Sequence, residues 1–177
     1  MLCVCFVQKD KNSIMNSLAH KLSVYYNIFM LDRKFSYQKG SGQPLVFFNS
    51  KATCELETES CILVFDEDSK LQLPHIACKN IVAVVSSSNR SLINELSRYN
   101  MPVITCGASQ KDTVTYSSFT GEKAVISLQR SIISFSGKTI EPFEISVEMD
   151  ENDSIFCALA FAALLAQFDT FESSEPV

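Results

Sequence analysis

Residues 8–12 lie between an apolar run and an amphipathic segment, and their types suit phosphate binding. Lys11 directly precedes the amphipathic segment, and Asn12 and Ser13 stand where the loop G-x-x-x-x-G-K-[ST] holds magnesium. In such a loop the backbone N–H groups wrap a phosphate and the lysine neutralises it. The first candidate anion site therefore consists of Lys9, Lys11, Asn12 and Ser13, with ATP and Mg²⁺ as the cofactors it would take.

The same turn departs from that motif in ways that oppose phosphate binding. Both glycine positions fall within residues 7–10, where side chains crowd the cradle and disfavour a positive φ. Asp10 also puts a negative charge where the phosphate would lie. A plain strand–helix turn with a solvent-facing Lys11 is therefore favoured, with residual anion binding as the alternative. The sequence predicts no catalytic residue here.

A second candidate anion site consists of Ser86, Ser87, Ser88 and Asn89, which follow a clean apolar run and precede a helical pattern. Open α/β sheets bind ligands where a strand ends and a helix begins. The hydroxyls and free N–H groups there could hold a phosphate or carboxylate, whereas simple helix capping is the favoured alternative. The acidic run 66–68 lacks the glycine and terminal glutamate of a calcium loop, so a solvated turn is favoured there.

The elements that position these residues alternate between strand-like and helix-like patterns. This alternation predicts a three-layer α/β fold with a mainly parallel, Rossmann-like sheet. Helices are expected after residue 12 and after residue 89, and residues 35–43 are expected to form a polar loop. Asn100 is a plausible left-handed residue at the end of the second helix. The predicted strands span residues 2–7, 27–31, 44–48, 61–65, 81–85 and 102–106.

The pattern changes after Gly107. Four β-like runs separated by turn signals indicate an antiparallel extension, and residues 155–168 form an apolar helix capped by Asp153 or Ser154. That helix is too short to span a membrane, which takes about 20 residues. The four runs are 113–117, 124–128, 132–135 and 140–147. We predict one domain over 1–168, with a parallel part over 1–107, hairpins over 108–150, a closing helix over 151–168 and a flexible tail over 169–177.

Composition limits the function classes. The chain has 177 residues, is 46% hydrophobic and carries a net charge of −5, which argues against disorder and against nucleic-acid binding. Residues 1–51 carry a charge of +5 and the remainder −10, so a polar face for a partner is an open alternative to two solvated faces.

Seven cysteines without a Cys-x-x-Cys spacing indicate buried, reduced thiols in a cytoplasmic protein. The start does not resemble a signal peptide. His20 and His75 give little support for a metal site.

Several segments resemble the central, ATP-binding domain of the Mur ligases, which join amino acids to the cell-wall precursor. Residues 11–22 resemble the helix after its phosphate loop, although partition-type ATPases have a similar helix followed by a strand ending in Asp, as at Asp32. Residues 83–107 are similar to its late strand–helix–strand unit. Residues 112–147 match its antiparallel part, and residues 158–166 its Ala-rich closing helix.

The departures from that family bear on activity. The loop glycines are missing, and Asp153-Ser154 and Cys157 stand where the family has a His-Asn pair and an asparagine. The family's flanking domains have no counterpart in these residues. We therefore expect a noncatalytic binding or interaction module related to cell-wall precursor metabolism. Its partner would be another protein or a second copy, rather than a nucleic acid or membrane. The family's magnesium carboxylate has no clear match and could only be guessed among Glu55, Glu57, Glu59 and Asp66.

Two alternatives remain open at this point. The chain could be a small nucleotide-binding enzyme with a divergent phosphate loop at residues 9–13. It could also be a subunit that a partner chain completes with the domains the ligases carry themselves.

Overall fold

The computed structural model describes residues 2–7, 13–31, 36–51, 56–71, 76–151 and 153–170. It contains two compact units, Met1–Val103 and Ile104–Val177, which are described separately below. The assignment of residues 1–168 to one domain stays a prediction. No helix in the described ranges is long and apolar enough to cross a membrane.

The first unit is built on a mainly parallel sheet. Its strands lie in the order β6-β5-β1-β4-β2-β3, and only β3 runs antiparallel to its neighbour. Helix α1 connects β1 to β2, and α2 follows β6. These bounds extend the predicted strands by a few residues and confirm the α/β class. The elements are β1 Leu2–Val7, α1 Ser13–Leu22, β2 Tyr26–Leu31, β3 Ser36–Lys39, β4 Gln43–Asn49, β5 Leu56–Phe65, β6 Ile76–Ser86 and α2 Arg90–Arg98.

Strand β1 is apolar throughout because both of its faces are buried. On one face Cys3 and Cys5 belong to a cluster that includes Leu92 and Leu96 of α2. On the other face Phe6 packs against Phe47 of β4, with ring centroids 5.0 Å apart. A continuous apolar run is therefore required, rather than the alternation of a half-exposed strand.

The predicted polar loop at residues 35–43 is wrong in part, because it contains β3. Tyr37 pairs with Met30 of β2, and Gly40 (φ 94°) and Gly42 (φ 99°) form the turn into β4. Edge strand β3 is exposed over most of its length, so its side chains need no apolar alternation. This is why the hydrophobic pattern did not reveal it.

The second unit combines four strands, a small ribbon and a helix. Its strands lie in the order β12-β9-β8-β7, with β7 parallel to β8 and the other pairs antiparallel. Strands β10 and β11 form a separate antiparallel ribbon. The elements are β7 Val103–Gly107, whose first residue closes the first unit, then β8 Val114–Phe119, β9 Lys123–Leu128, β10 Ile132–Ile133, β11 Thr139–Ile140, β12 Glu144–Glu148 and α3 Ile155–Gln167.

Two predicted strands of this unit need correction. The run 132–135 pairs only at Ile132 and Ile133, before a turn. The run 140–147 is divided into β11 and β12, and Pro142 lies between them. Proline has no N–H to donate to a strand ladder, which accounts for the interruption.

The two helix ends predicted from capping residues are confirmed. Ser154 caps α3, its hydroxyl accepting a hydrogen bond from the N–H of Cys157 at 3.2 Å. Asn100 follows α2 with φ 51°, and the N–H of Met101 reaches the carbonyl of Leu96 at 3.3 Å. Helix α3 is buried from Phe156 to Gln167 and packs against β8 and β9, as its uniform apolarity predicts.

The turn between β3 and β4 can be tested with a matched pair of glycines. Gly40 and Gly121 both have positive φ, but a Cβ at Gly40 would overlap the Tyr26 carbonyl, whereas one at Gly121 meets nothing within 4 Å. Both alanine variants carry the left-handed strain. We expect Gly40→Ala to lower the free energy of unfolding by roughly 2 kcal/mol more than Gly121→Ala in urea denaturation. Equal losses would contradict the packing of this turn.

Candidate functional site

The first predicted anion site can be located only in part. Lys9, Lys11 and Asn12 lie outside the described residues, and Ser13 is the first residue of α1. The site therefore stays a prediction. The order of elements is the one it requires, since β1 ends at Val7 and α1 begins at Ser13.

The turn after β5 is fixed to the end of β1. The N–H of Asp66 donates to the carbonyl of Val7 at 3.2 Å, and the Ser69 hydroxyl donates to the same carbonyl. The Ser69 N–H donates to the Asp66 carbonyl at 2.9 Å, which closes the turn, and the Glu67 N–H donates to the Asp66 carboxylate at 2.8 Å. Because β1 and β5 are parallel neighbours, these contacts occupy the carboxyl edge of the sheet, where α/β folds bind ligands.

Asn89 connects this turn to α2 through three hydrogen bonds of its side chain. Its Nδ2 donates to the carbonyls of Glu67 at 3.1 Å and Ser69 at 2.9 Å. Its Oδ1 accepts from the N–H of Leu92 at 3.2 Å, which caps α2. An amide group offers two N–H donors and an oxygen that can accept two hydrogen bonds, so both donors of Asn89 and one of its acceptor positions are used within the protein. We call this arrangement the Asn89 clamp.

The serines before Asn89 are also engaged. The Ser86 hydroxyl is buried and lies 2.8 Å from the Ser88 hydroxyl. In the first turn of α2 the N–H of Arg90 donates to the Ser88 carbonyl at 3.1 Å. Among the four residues of this candidate site, Asn89 is the one that caps α2, so helix capping, the favoured alternative, is present there. Anion binding at Ser86, Ser87, Ser88 and Asn89 stays a prediction.

A cleft of about 710 Å³ opens beside the Asn89 clamp. Within the described part of the chain, three acidic residues and one basic residue line the cleft: Glu67, Asp68 and Glu95, and Lys70. A phosphate entering this cleft would meet an excess of negative charge. The electrostatics therefore oppose the anion that the helix terminus alone would attract.

No metal cluster supports the acidic turn as a cation site. Across the described ranges no three His, Cys, Asp or Glu side chains are placed to hold a metal ion together. Glu57 and Glu59 are exposed on β5, and Asp66 follows that strand's end, so Glu57 and Asp66 are separated by about 30 Å of extended chain. The guessed magnesium carboxylates do not converge. Glu55 lies outside the described residues.

A second, smaller groove of about 450 Å³ runs between α1 and β3. It is lined by Met30, Tyr37 and Lys39 together with His20, whose ring Nδ1 is hydrogen-bonded to the Lys39 ammonium. From the sequence, His20 was considered only as a metal ligand and found to have little support. The groove was not predicted because β3, which forms one wall, carries no apolar pattern. His75 lies outside the described residues.

The comparison with known proteins finds similar solved structures. No protein family model and no curated protein sequence matches the chain. The MurF ligase from Thermotoga maritima in complex with ADP matches 100% of this chain and 47% of its own, with a TM-score of 0.56 and 12% identity. A UDP-N-acetylmuramoyl-L-alanyl-D-glutamate–2,6-diaminopimelate ligase matches 96% of this chain and 43% of its own, with a TM-score of 0.51 and 11% identity. The chain shares its fold with the Mur ligases.

The resemblance that short sequence segments indicated is thus confirmed at the level of the fold. The chain spans about half the length of the Mur ligases it matches. Ser154 caps α3, and Cys157 is buried in that helix. The expected correspondence of Asp153-Ser154 and Cys157 to the Mur ligase His-Asn pair and asparagine stays a prediction.

The cysteines of this Mur ligase-like chain are free thiols wherever the structure describes them, and all of those except Cys78 are buried; Cys54 lies outside the described residues. Burial, reinforced by the neighbouring thiols of Cys5, Cys3 and Cys78, raises the pKa of Cys61. Burial also raises the pKa of Cys106, to which nearby Asp112 adds. Cys78 is partly exposed, and burial raises its pKa as well. Such thiols stay protonated near neutral pH and are poor nucleophiles.

We predict that the Asn89 clamp stabilises the fold by more than its capping bond alone. Asn89→Ala removes the cap and both carbonyl contacts, and is expected to lower the free energy of unfolding by about 2–3 kcal/mol. Ser154→Ala is the matched control, because it removes only the capping contact of α3 and is expected to cost about 1 kcal/mol. Urea denaturation measures both. Equal losses would mean that the two carbonyl contacts contribute little.

Alkylation rates test the burial of the thiols. With iodoacetamide at pH 8, Cys78 should react at least about tenfold faster than Cys61 and Cys106 in the folded chain, because only Cys78 is accessible. Peptide mapping by mass spectrometry gives each rate. A urea-unfolded sample is the control, in which the three should react at similar rates. Rapid labelling of Cys106 in the folded chain would contradict its position in the core.

Proposed function

We propose that this chain is a noncatalytic, Mur ligase-like module that binds a cell-wall precursor or a protein of its metabolism in the cytoplasm. The Mur ligase-like fold supports the link to that metabolism. The free thiols support a reducing compartment. The loop after β1 has side chains at both glycine positions of a phosphate loop and an aspartate at residue 10, which supports the absence of catalysis.

The observation that carries this proposal is the engagement of the polar groups at the carboxyl edge of the sheet. The Asn89 side chain, the Ser69 hydroxyl and the Leu92 N–H are bonded within the protein. Acyl-phosphate chemistry needs phosphate-binding groups, a metal and an oriented substrate at one place. Groups that already close a turn and cap a helix are withdrawn from that task, and the cleft beside them is acidic.

A nucleotide-binding enzyme is the second candidate. It is supported by the position of Ser13 at the start of α1, directly after the loop that carries Lys9, Lys11 and Asn12. The matching Thermotoga maritima ligase was solved with ADP, and a divergent loop could retain weak nucleotide binding. A subunit completed by a partner chain is the third candidate, because the chain spans only about half of each matching ligase.

Calorimetric titration of the full chain with Mg-ATP separates the first two candidates. We expect neither binding at millimolar nucleotide nor ATP hydrolysis, because the loop lacks its glycines and carries Asp10. Lys11→Ala is the informative variant, and Lys79→Ala is its control because that lysine is exposed on β6 and does not line the cleft. Millimolar or tighter binding that Lys11→Ala abolishes and Lys79→Ala retains would establish the nucleotide-binding candidate instead. Glycines introduced at Val7 and Asp10 are expected to leave the chain without ATPase activity.

A second titration tests the precursor itself. UDP-N-acetylmuramoyl-L-alanyl-D-glutamate is the probe, added with and without Mg-ATP. Binding without turnover supports the proposed module. Turnover of ATP in the presence of the probe would contradict it. If neither compound binds and the native protein is recovered in a defined heterocomplex, the partner-completed subunit replaces the module.

A further inference from the structure

One wall of the groove between α1 and β3 comes from the helix, and the other comes from the edge of the sheet. The helix residues that line it are spaced three or four positions apart, so they share one face of α1: Asn16, Ala19 and His20. On the sheet side Tyr37 lies directly opposite Met30 in the β2–β3 ladder, and cross-strand partners share a face. The volume of about 450 Å³ is in the range of ordinary ligand pockets.

The charge that lines this groove is positive. Within the described part of the chain Lys39 lines it, and no Asp or Glu does. The Lys39 ammonium donates to Nδ1 of His20, which lines the same groove. Because an ammonium has only donors, the ring accepts through Nδ1 and carries its own proton on Nε2. The Lys39–His20 pair therefore offers one positive charge, with further N–H donors on both side chains.

The remaining lining of the groove suits an aromatic body. Ala19 and Met30 are 2% and 3% exposed, so core side chains form the apolar part of the groove. Tyr37 is 51% exposed, which leaves its ring open to contact with a second ring. The thioether of a methionine also packs favourably against aromatic rings. A flat, apolar ligand body therefore gains contacts here that a hydrated inorganic ion would not.

We infer that this groove binds a small aromatic carboxylate, with its carboxylate at the Lys39–His20 pair and its ring against Met30 and Tyr37. A carboxylate carries one negative charge, which the single charge of the pair matches, whereas a phosphate dianion would stay half compensated. The groove and the cleft beside the Asn89 clamp share no lining residue in the described part of the chain. The inference therefore does not depend on the proposed function.

Titration of the full chain with naphthoate, followed by two-dimensional NMR, tests the site. We expect saturable shifts of the amide resonances of His20, Tyr37 and Lys39, with a dissociation constant of roughly 1 mM or tighter for a ligand of this size. Naphthalenemethanol has the same rings without the charge, and acetate has the charge without the rings. Each should bind at least about fivefold more weakly than naphthoate, because each loses one of the two sets of contacts. Inorganic phosphate should produce no saturable shift of these resonances.

Substitutions of Lys39 test the charged end of the site. Lys39→Gln should weaken naphthoate binding about tenfold, because it removes the charged donor. Lys39→Arg keeps a charged donor and should bind naphthoate within about threefold of the unmodified chain. Lys79→Gln is the matched control, because it removes the same charge from an exposed position on β6 that does not line the groove. It should leave the affinity unchanged.

Asn16→Asp tests the same electrostatics without removing a contact of Lys39. It places a negative charge in the lining of the groove and should weaken naphthoate binding severalfold. It should not lower the melting temperature, because an acidic residue in the first turn of α1 interacts favourably with the helix dipole. The inference is overturned if naphthoate shifts no resonance of the groove, if Lys39→Gln and Lys79→Gln bind it equally well, or if naphthalenemethanol or phosphate binds as tightly as naphthoate.

Discussion

Strand β1 has neither a free edge nor a free face. Its backbone pairs with β4 on one side and β5 on the other, and apolar side chains cover both of its surfaces. This position limits where polar groups can lie in the first unit. Since a central parallel strand must be apolar throughout, polar chemistry can enter only where the strand ends, at Val7. The carbonyl of Val7 is in turn held by the turn after β5, so the strand's last polar group is also engaged.

The described polar groups at this edge of the sheet make structural contacts. In an open α/β fold the carboxyl ends of the central strands and the first turn of the next helix form the usual binding crevice. Here the Asn89 clamp bridges the turn after β5 and the start of α2, with both amide donors and the amide oxygen hydrogen-bonded within the protein. The chain therefore shares its fold with the Mur ligases, while the described polar groups at this edge of its sheet stabilise the chain. The two observations are compatible because function resides in sites rather than in folds.

The sequence predicted those parts of the structure that local chemistry determines. The buried run at β1, the capping residues Ser154 and Asn89, and the left-handed Asn100 each follow from a requirement of one element. Strand β3 was not predicted because an exposed edge strand needs no periodic pattern. The division between β11 and β12 was not predicted because Pro142 was included in one continuous run. The long-range contacts of Asn89 could not be predicted, since they depend on carbonyls about 20 residues away that only the folded sheet brings near.

Helix α3 has a consequence for how the chain is made. It is apolar on all sides and packs against β8 and β9, both of which precede it in the chain. During synthesis these strands leave the ribosome before the helix that covers them, so their inner surface stays open for at least the interval needed to make residues 129–167. A nascent chain that stalls before α3 is made would expose one apolar face of the sheet. An α3 helix that has not packed against that sheet would expose apolar side chains on all of its sides. The apolar face of β8 and β9 in the second unit is thus covered only when α3 has packed against it.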